Sequence, residues 1–260
     1  MAEIRVFIVE DDLYARDLMG LLLRRDWRTQ VIGEMGSMMD IPPAMEEERI
    51  DVVLLDTEHP ADANWAKRLI DKINSMDRKP VVLCTGSFVS KKVLEGLSDP
   101  IYRGYIMKSE IGYSLAWAVA LATNTSWVIT PSVERMACES GFAFPAEPVV
   151  LSGDRTLFGL SPQEMEVARL GILFNMPRDN PAHDMNRSPY TVYEYISNSY
   201  EKMGIDEIFD MNVSPREYFA GDQRFIEHFG KHIDQLWDIT KPGKDKDTLA
   251  FHLMTIPVIH

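Results

Sequence analysis

Acidic, hydroxyl and basic side chains follow short apolar runs at four places in the first half of the sequence. They are Glu10 and Asp11 after residues 4–9, Asp56 after 52–55, Thr85 after 81–84 and Lys108 after 102–107. Clustered carboxylates repel one another unless a cation lies among them, and oxygen ligands with retained waters suit Mg²⁺. One carboxylate could then attack phosphorus while the hydroxyl and the ammonium group hold the phosphoryl oxygens. The residue types therefore predict a phosphoryl-transfer site with magnesium as its cofactor.

The apolar runs alternate with segments of helical spacing, such as Leu18, Leu21 and Leu22. Alternating strands and helices with continuous apolar strands are typical of a doubly wound parallel sheet. Ligands of such sheets bind beyond the carboxyl ends of the strands, where the polar residues would converge. A single acid at a strand end is more often a solvated loop residue, but five chemically matched positions favour a site. The predicted fold of this half is an α/β doubly wound, parallel, five-stranded domain.

Residues 3–124 resemble the receiver domain of two-component response regulators. The matching motifs are IVEDD, Arg16, VVLLDTEHP, VVLCTG and GYIMK. The resemblance implies that Asp56 accepts the phosphoryl group and that Thr85 and Lys108 contact it. It implies metal binding by Glu10, Asp11, Asp56 and the backbone carbonyl of Glu58. It also implies a conformational switch made of Thr85 and Tyr105. His59, Asn64 and Ser109 depart from the usual pattern but remove no reacting atom. The resemblance thus implies a domain, predicted at 1–124, that a partner histidine kinase phosphorylates.

Residues 125–158 are predicted to be a linker, because proline and glycine recur there at close intervals and break both periodicities. A connection of this length is unusual in a compact protein, so part of it is expected to form a short helix or strand. Residues 127–129 are apolar and are expected to pack on the first domain.

Two further helices are predicted from their starting signals. Ser161, Pro162 and Glu164 form a capping box that opens one helix, and Ser188 with Pro189 opens another that runs to Gly204. Both resemble the helix-turn-helix of LuxR/NarL-type regulators, predicted at 159–206. The candidate DNA contacts are Arg187, Tyr190, Thr191, Tyr193, Glu194, Asn198 and Lys202.

The two resemblances together imply a response regulator, not an enzyme, that binds DNA, controls transcription and forms a homodimer. The family's cationic positions, however, carry tyrosine here, at Tyr193 and Tyr195. Fewer phosphate contacts lower both the affinity for DNA and its dependence on salt. The alternative is that this helix binds a protein partner, because aromatic residues are enriched at protein interfaces.

Residues 207–260 are predicted to be a helical extension. Ser214 and Glu217 mark one helix start, and Phe229, Ile233 and Leu236 follow at helical spacing. The extension could complete the core of the small domain, dimerise, or cover the recognition helix. His228 and His232 lie four residues apart and could share a metal, although a solvated pair is the simpler interpretation.

Composition narrows the remaining possibilities. The formal charge of −13 over 260 residues repels phosphate backbones, so DNA contacts would need a local patch or a paired surface. Two cysteines and the lack of an N-terminal hydrophobic segment favour a reducing cytoplasm. No apolar run approaches the roughly 18 residues of a membrane-spanning helix, so no membrane partner is expected.

Overall fold

The computed structural model describes residues 3–36, 49–58, 64–124, 126–153, 159–177, 179–185, 187–218, 220–221 and 223–260. His59 lies outside these ranges. The chain divides into two compact units, Met1–Asp154 with Pro257–His260, and Arg155–Ile256. No helix in these ranges has both the length and the apolar character needed to cross a bilayer.

The first unit is built on a sheet of eight strands within the described part of the chain. They are β1 Ile4–Val9, β2 Thr29–Met35, β3 Val52–Asp56, β4 Val81–Gly86, β5 Tyr102–Met107, β6 Trp127–Ile129, β7 Pro148–Ser152 and β8 Val258–Ile259. Their order is β2-β1-β3-β4-β5-β6-β7-β8, and only the β7–β8 pairing is antiparallel. The predicted doubly wound parallel fold is confirmed, and three strands extend it beyond β5.

Six α-helices connect the strands of this unit in the described ranges. They are α1 Leu13–Arg25, α2 Asn64–Ser75, α3 Lys91–Glu95, α4 Lys108–Ile111, α5 Leu115–Ala122 and α6 Pro131–Ser140. Asp12 starts α1 as its N-cap, because its carboxylate accepts from the Ala15 N–H at 2.7 Å. The strands β1, β3 and β4 are buried along almost their whole length, as continuous apolar strands covered on both faces should be.

The predicted linker at 125–158 is wrong for most of its length, since β6, α6 and β7 lie within it. Its proline and glycine residues are helix boundary signals: Pro131 is the first residue of α6, and Gly141 ends it in the left-handed conformation. Residues 127–129 are buried, in agreement with the expectation that they pack on the first domain. A three-residue strand is too short to show a periodicity, which is why the sequence did not reveal the pairing.

The chain returns to this sheet at its end. Ile259 pairs with Leu151, and Val258 pairs with Ser152. The Ser152 hydroxyl lies 2.9 Å from the His260 ring nitrogen Nε2. Residues 155–256 are therefore inserted between two neighbouring strands. The predicted helical extension, 207–260, is corrected at residues 258–259, which form β8.

The second unit is helical. Its helices are α7 Pro162–Ala168, α8 Asp179–Asp184, α9 Pro189–Lys202, α10 Ile205–Met211, α11 Pro215–Tyr218, α12 Gln223–Thr240 and α13 Lys246–Met254, with a π-helical turn at Arg169–Leu173. The capping box that opens α7 is confirmed, as is the Ser188 cap of α9. Gly204 follows α9 with a φ of 70°, which glycine adopts without strain.

The C-terminal extension completes the core of this unit. Helix α13 packs against α10, α12 and the π-helical turn. Phe229 and Ile233 of α12 are buried, as are Leu249 and Phe251 of α13. Of the three possibilities left open by the sequence, the structure therefore supports a shared hydrophobic core.

Replacement of Gly104 by alanine should separate β6 from β5. Gly104 has a φ of 151°, and a Cβ there would lie 1.9 Å from the carbonyl oxygen of Val128. We expect Gly104→Ala to lower the free energy of unfolding by about 1–3 kcal/mol, as overpacked core sites do. Urea unfolding measures this change. The matched control is Gly243→Ala, where a Cβ meets nothing within 4 Å; equal stability of the two variants would contradict the observed pairing.

Candidate functional site

Three carboxylates meet at the carboxyl ends of β1 and β3. Glu10 follows β1, Asp11 comes next, and Asp56 is the last residue of β3. One oxygen of each lies within 4.8 Å of the others, which makes this the group in the described ranges that could hold a metal. Glu10 and Asp56 are buried, whereas Asp11 is exposed. His228 and His232 belong to no such group of three in the described part of the chain.

Lys108 provides the positive charge of this cluster. Its ammonium nitrogen lies 2.8 Å from Glu10 Oε2 and 3.1 Å from Asp56 Oδ1. Burial raises the pKa of both carboxyl groups, and the contacts with Lys108 oppose that rise. Burial also disfavours the charged ammonium, but the hydrogen bonds from Lys108 to Glu10 and Asp56 raise the pKa of Lys108 overall. Position 108, the first residue after β5 and the first of α4, brings this charge to the acids.

The residues present fit a divalent cation. Glu10 Oε2 and both oxygens of Asp56 are buried, and their contacts with Lys108 leave lone pairs that a cation could occupy. One lysine does not balance three carboxylates, so the cluster retains an excess of negative charge. Hard oxygen donors with access to solvent through Asp11 are what Mg²⁺ requires. Glu10, Asp11 and Asp56 are the side chains that would hold it.

The Glu58 side chain is engaged elsewhere. Its carboxylate accepts from the backbone N–H groups of Ser87 at 2.7 Å and Phe88 at 3.0 Å. It thereby ties the loop after β3 to the loop after β4. The role predicted for the Glu58 carbonyl as a metal ligand stays a prediction.

Thr85 and Tyr105 lie in a hydrogen-bonded group beside the acids. Thr85 is buried and pairs with Asp56 across β3 and β4. Thr57 donates its N–H and its hydroxyl to the Thr85 carbonyl, at 3.0 and 3.1 Å. The Tyr105 hydroxyl donates to the Phe88 carbonyl at 2.7 Å and lies 3.0 Å from the Thr57 hydroxyl. Tyr105 is therefore turned inward in this structure.

Two residues that support Tyr105 were missed by the sequence analysis. Thr57 gives no motif signal of its own beyond its place after Asp56. Gly86 makes room for the tyrosine, because a Cβ at this position would lie 2.0 Å from the Tyr105 hydroxyl oxygen. Burial raises the pKa of Tyr105 to about 12, so the phenol keeps its proton at neutral pH.

The candidate DNA contacts on α9 divide into exposed and engaged residues. Arg187, Tyr190, Tyr193 and Glu194 are exposed. Asn198 is half-buried, and the Thr191 hydroxyl lies 2.9 Å from that of Ser188 within the helix cap.

Lys202, the cation at the end of α9, is committed to an internal ion pair. Its ammonium nitrogen lies 2.6 Å from Glu164 Oε2, and Glu164 also accepts from the Ser161 N–H at 2.7 Å. The hydrogen bond from Lys202 and the one from Ser161 lower the pKa of Glu164 to about 2. Arg187 is the other cation among the seven candidates, and no ion pair of its side chain is seen with the residues that the structure describes.

The chain is similar to solved response regulators. RcsB of Salmonella enterica serovar Typhimurium, bound to a promoter in the presence of a phosphomimetic, matches 78% of this chain and 93% of its own with 19% identity and a TM-score of 0.47. ChrA, from a heme-sensing two-component system, matches 78% of this chain and 92% of its own with 19% identity and a TM-score of 0.40. The isolated receiver domain of RcsB matches 52% of this chain and 99% of its own, with 18% identity and a TM-score of 0.46.

No protein-family model matches the chain, and no curated protein matches it in sequence. The first unit contains a parallel α/β sheet in β1–β5, with additional strands at one edge, and a helical region follows β7 in sequence. The identities are 20% or less and the TM-scores are below 0.5, so we infer the function from the side chains of the acidic site.

The Glu164–Lys202 pair predicts a specific acid sensitivity. Because the pKa of Glu164 falls from an ordinary 4.5 to about 2 on folding, its stabilisation is complete above pH 4.5 and is lost as the pH falls towards 2. Glu164→Gln should cost about 1 kcal/mol near neutral pH, as loss of a helix cap does, and should flatten the acid-induced loss of stability. Thermal unfolding by circular dichroism across pH measures both. Glu201→Gln, an exposed acid on α9, is the control; an unchanged acid profile in Glu164→Gln would rule out the pair as the cause.

Proposed function

We propose that the chain is a two-component response regulator whose Asp56 accepts a phosphoryl group from a histidine kinase. The observation that supports this proposal is the position of Lys108, within 3.1 Å of Asp56 and 2.8 Å of Glu10 at the ends of parallel strands. A lysine that already bridges two buried carboxylates can move its hydrogen bonds to incoming phosphoryl oxygens.

Asp56 is the best acceptor of the three acids. Glu10 faces Lys108 with both oxygens, at 2.8 and 3.0 Å, and also accepts from the Asp12 N–H. Asp11 is exposed, which suits a metal ligand in contact with water. Asp56 is buried at the end of β3, opposite Thr85.

The reaction at Asp56 is a displacement at phosphorus. An Asp56 carboxylate oxygen forms the new bond to phosphorus, and the bond to the imidazole nitrogen of the phosphohistidine donor breaks. Lys108 and Thr85 hold the phosphoryl oxygens by charge and by hydrogen bonding. Mg²⁺, when bound by Glu10, Asp11 and Asp56, supplies positive charge that offsets the crowded anions.

Asp56→Asn should abolish acyl-phosphate formation, because the amide nitrogen and oxygen are poor nucleophiles. Incubation with a small-molecule phosphodonor and Mg²⁺, followed by intact mass measurement, should add one phosphoryl group to the natural chain and none to the variant. Hydroxylamine should remove the added mass from the natural chain. Asp99→Asn, an acid near the start of β5, is the control; retained hydroxylamine-sensitive labelling in Asp56→Asn would overturn the assignment.

We propose DNA as the target of the second unit, with the chain acting as a homodimeric transcription regulator. Tyrosine, asparagine and arginine side chains on and before α9 can hydrogen-bond phosphates and bases. Two copies of the surface in a dimer would offset the small number of cations on each.

A protein partner is the second candidate, and the Lys202–Glu164 ion pair favours it. The pair engages the ammonium group of Lys202, whereas Tyr190, Tyr193 and Glu194 are exposed on α9. An aromatic surface with acidic groups fits a basic protein surface better than a phosphate backbone.

Binding to sheared genomic DNA at several salt concentrations separates the two candidates. If DNA is the target, Arg187→Ala should weaken binding and reduce the salt slope by about one, because each phosphate contact contributes about 0.9. Arg169→Ala, an exposed cation of the π-helical turn, is the control. A lack of binding at low salt would exclude DNA and favour the protein partner.

A further inference from the structure

Glu110, the third residue of α4, caps helix α6 with its side chain. Its carboxylate accepts from the Ser132 N–H at 3.1 and 3.2 Å and from the Ser132 hydroxyl. Ser132 lies in the first turn of α6, where backbone N–H groups have no partner within the helix. Thr130 precedes α6 but does not cap it, because its hydroxyl accepts from the Met107 N–H at 3.1 Å.

The Glu110 carboxylate is built to stay charged. Burial raises the pKa of Glu110, but hydrogen bonds from Ser132 and Thr130, together with the charge of Arg135, lower it overall. A negative charge at a helix N-terminus is further favoured by the helix dipole. The cap therefore holds α4 and α6 together, and α6 in turn packs against α3, β5 and β7.

The backbone of Glu110 holds the end of β7. The Gly153 N–H donates to the Glu110 carbonyl at 2.7 Å. The two backbones approach so closely that a Cβ on Gly153 would lie 2.2 Å from the Ile111 carbonyl oxygen. Gly153 is the last described residue before the inserted residues 155–256, and β7 pairs with β8, where the chain returns. Glu110 thus contacts the end of β7, and β7 pairs with β8, the strand to which the chain returns.

Lys108 belongs to the same helical turn as Glu110. Its ammonium group is bound to Asp56 and Glu10, so a phosphoryl group on Asp56 would change the partners of Lys108. Lys108 and Glu110 are the first and third of the four residues of α4, so a displacement of the Lys108 backbone would be shared by Glu110.

We infer that Glu110 transmits the state of Asp56 to the two connections of residues 155–256, through its carboxylate on α6 and its carbonyl on β7. This inference rests on the proposed function, which supplies phosphoryl attachment at Asp56 as the input. Glu110 touches no reacting atom and acts as a positioning residue. The state of Asp56 would then act on residues 155–256 through β7 and β8, the paired strands that precede and follow them in sequence.

Hydrogen exchange of the full chain, with and without Mg²⁺ and beryllofluoride, tests the inference. Fluorine NMR of the same samples reports whether beryllofluoride is bound. In the natural chain, we expect exchange in residues 148–153 and 257–260 to change about fivefold or more on binding. In Glu110→Ala, exchange there should already be about fivefold faster without ligand, as for a lost helix cap. Its response to bound beryllofluoride should be smaller than in the natural chain, because only the carbonyl contact with Gly153 remains.

Glu134→Ala is the matched control, because it removes an exposed carboxylate from the first turn of the same helix and should keep the response. Glu110→Gln keeps a hydrogen-bond acceptor and should restore part of it. A full response in Glu110→Ala would overturn the role of Glu110. If beryllofluoride binds to the natural chain and exchange does not change, the inference about Glu110 is wrong but phosphoryl acceptance by Asp56 still stands. If beryllofluoride does not bind, both the inference and the proposed function are wrong.

Discussion

The ion pairs of Lys108 with Asp56 and Glu10 are the interaction on which the rest of the first unit depends. Burying two carboxylates costs several kcal/mol per charge unless they are paired, and the observed distances of 3.1 and 2.8 Å provide that pairing. The parallel sheet brings the three residues together, because β1, β3 and β5 all end at the same edge. Lys108 carries one positive charge beside three carboxylates, so a bound cation could balance the remaining negative charge.

The three additional strands, β6, β7 and β8, place further elements beside the acidic site. Gly104 allows the Val128 carbonyl to approach β5, and α6 then packs over α3 and β5. Tyr105 lies in the same hydrophobic cluster as Ile129 and Val133 of this addition. In sequence, residues 155–256 come between β7 and β8, which are neighbouring strands of the sheet. Lys108 and Glu110 lie in the same short helix, α4, and the Glu110 carbonyl accepts from the Gly153 N–H at 2.7 Å.

The strands that carry chemistry could be predicted from sequence because they are long, apolar and followed by reactive side chains. Strand β2 was not among the predicted runs, since Gln30, Gly33 and Glu34 interrupt its apolar pattern. Strands β6 and β8 span only three and two residues, so their pairing depends on a partner that no local pattern reveals. Lys202 illustrates the same limit in the site: its sequence position suggested DNA, whereas its ion pair with Glu164, 38 residues away, appears only in the fold.

A crystal structure of the full chain with Mg²⁺ and beryllofluoride tests the central claim most directly. Beryllofluoride imitates a phosphoryl group attached to a carboxylate. The predicted result is density for beryllium bonded to an Asp56 oxygen, with Lys108 Nζ and the Thr85 hydroxyl directed at the fluorines and the metal held by Glu10, Asp11 and Asp56. Beryllium bonded to Glu10 or Asp11, or a bare Asp56 still paired with Lys108 at saturating ligand, would contradict the assignment of Asp56 as the phosphoryl acceptor.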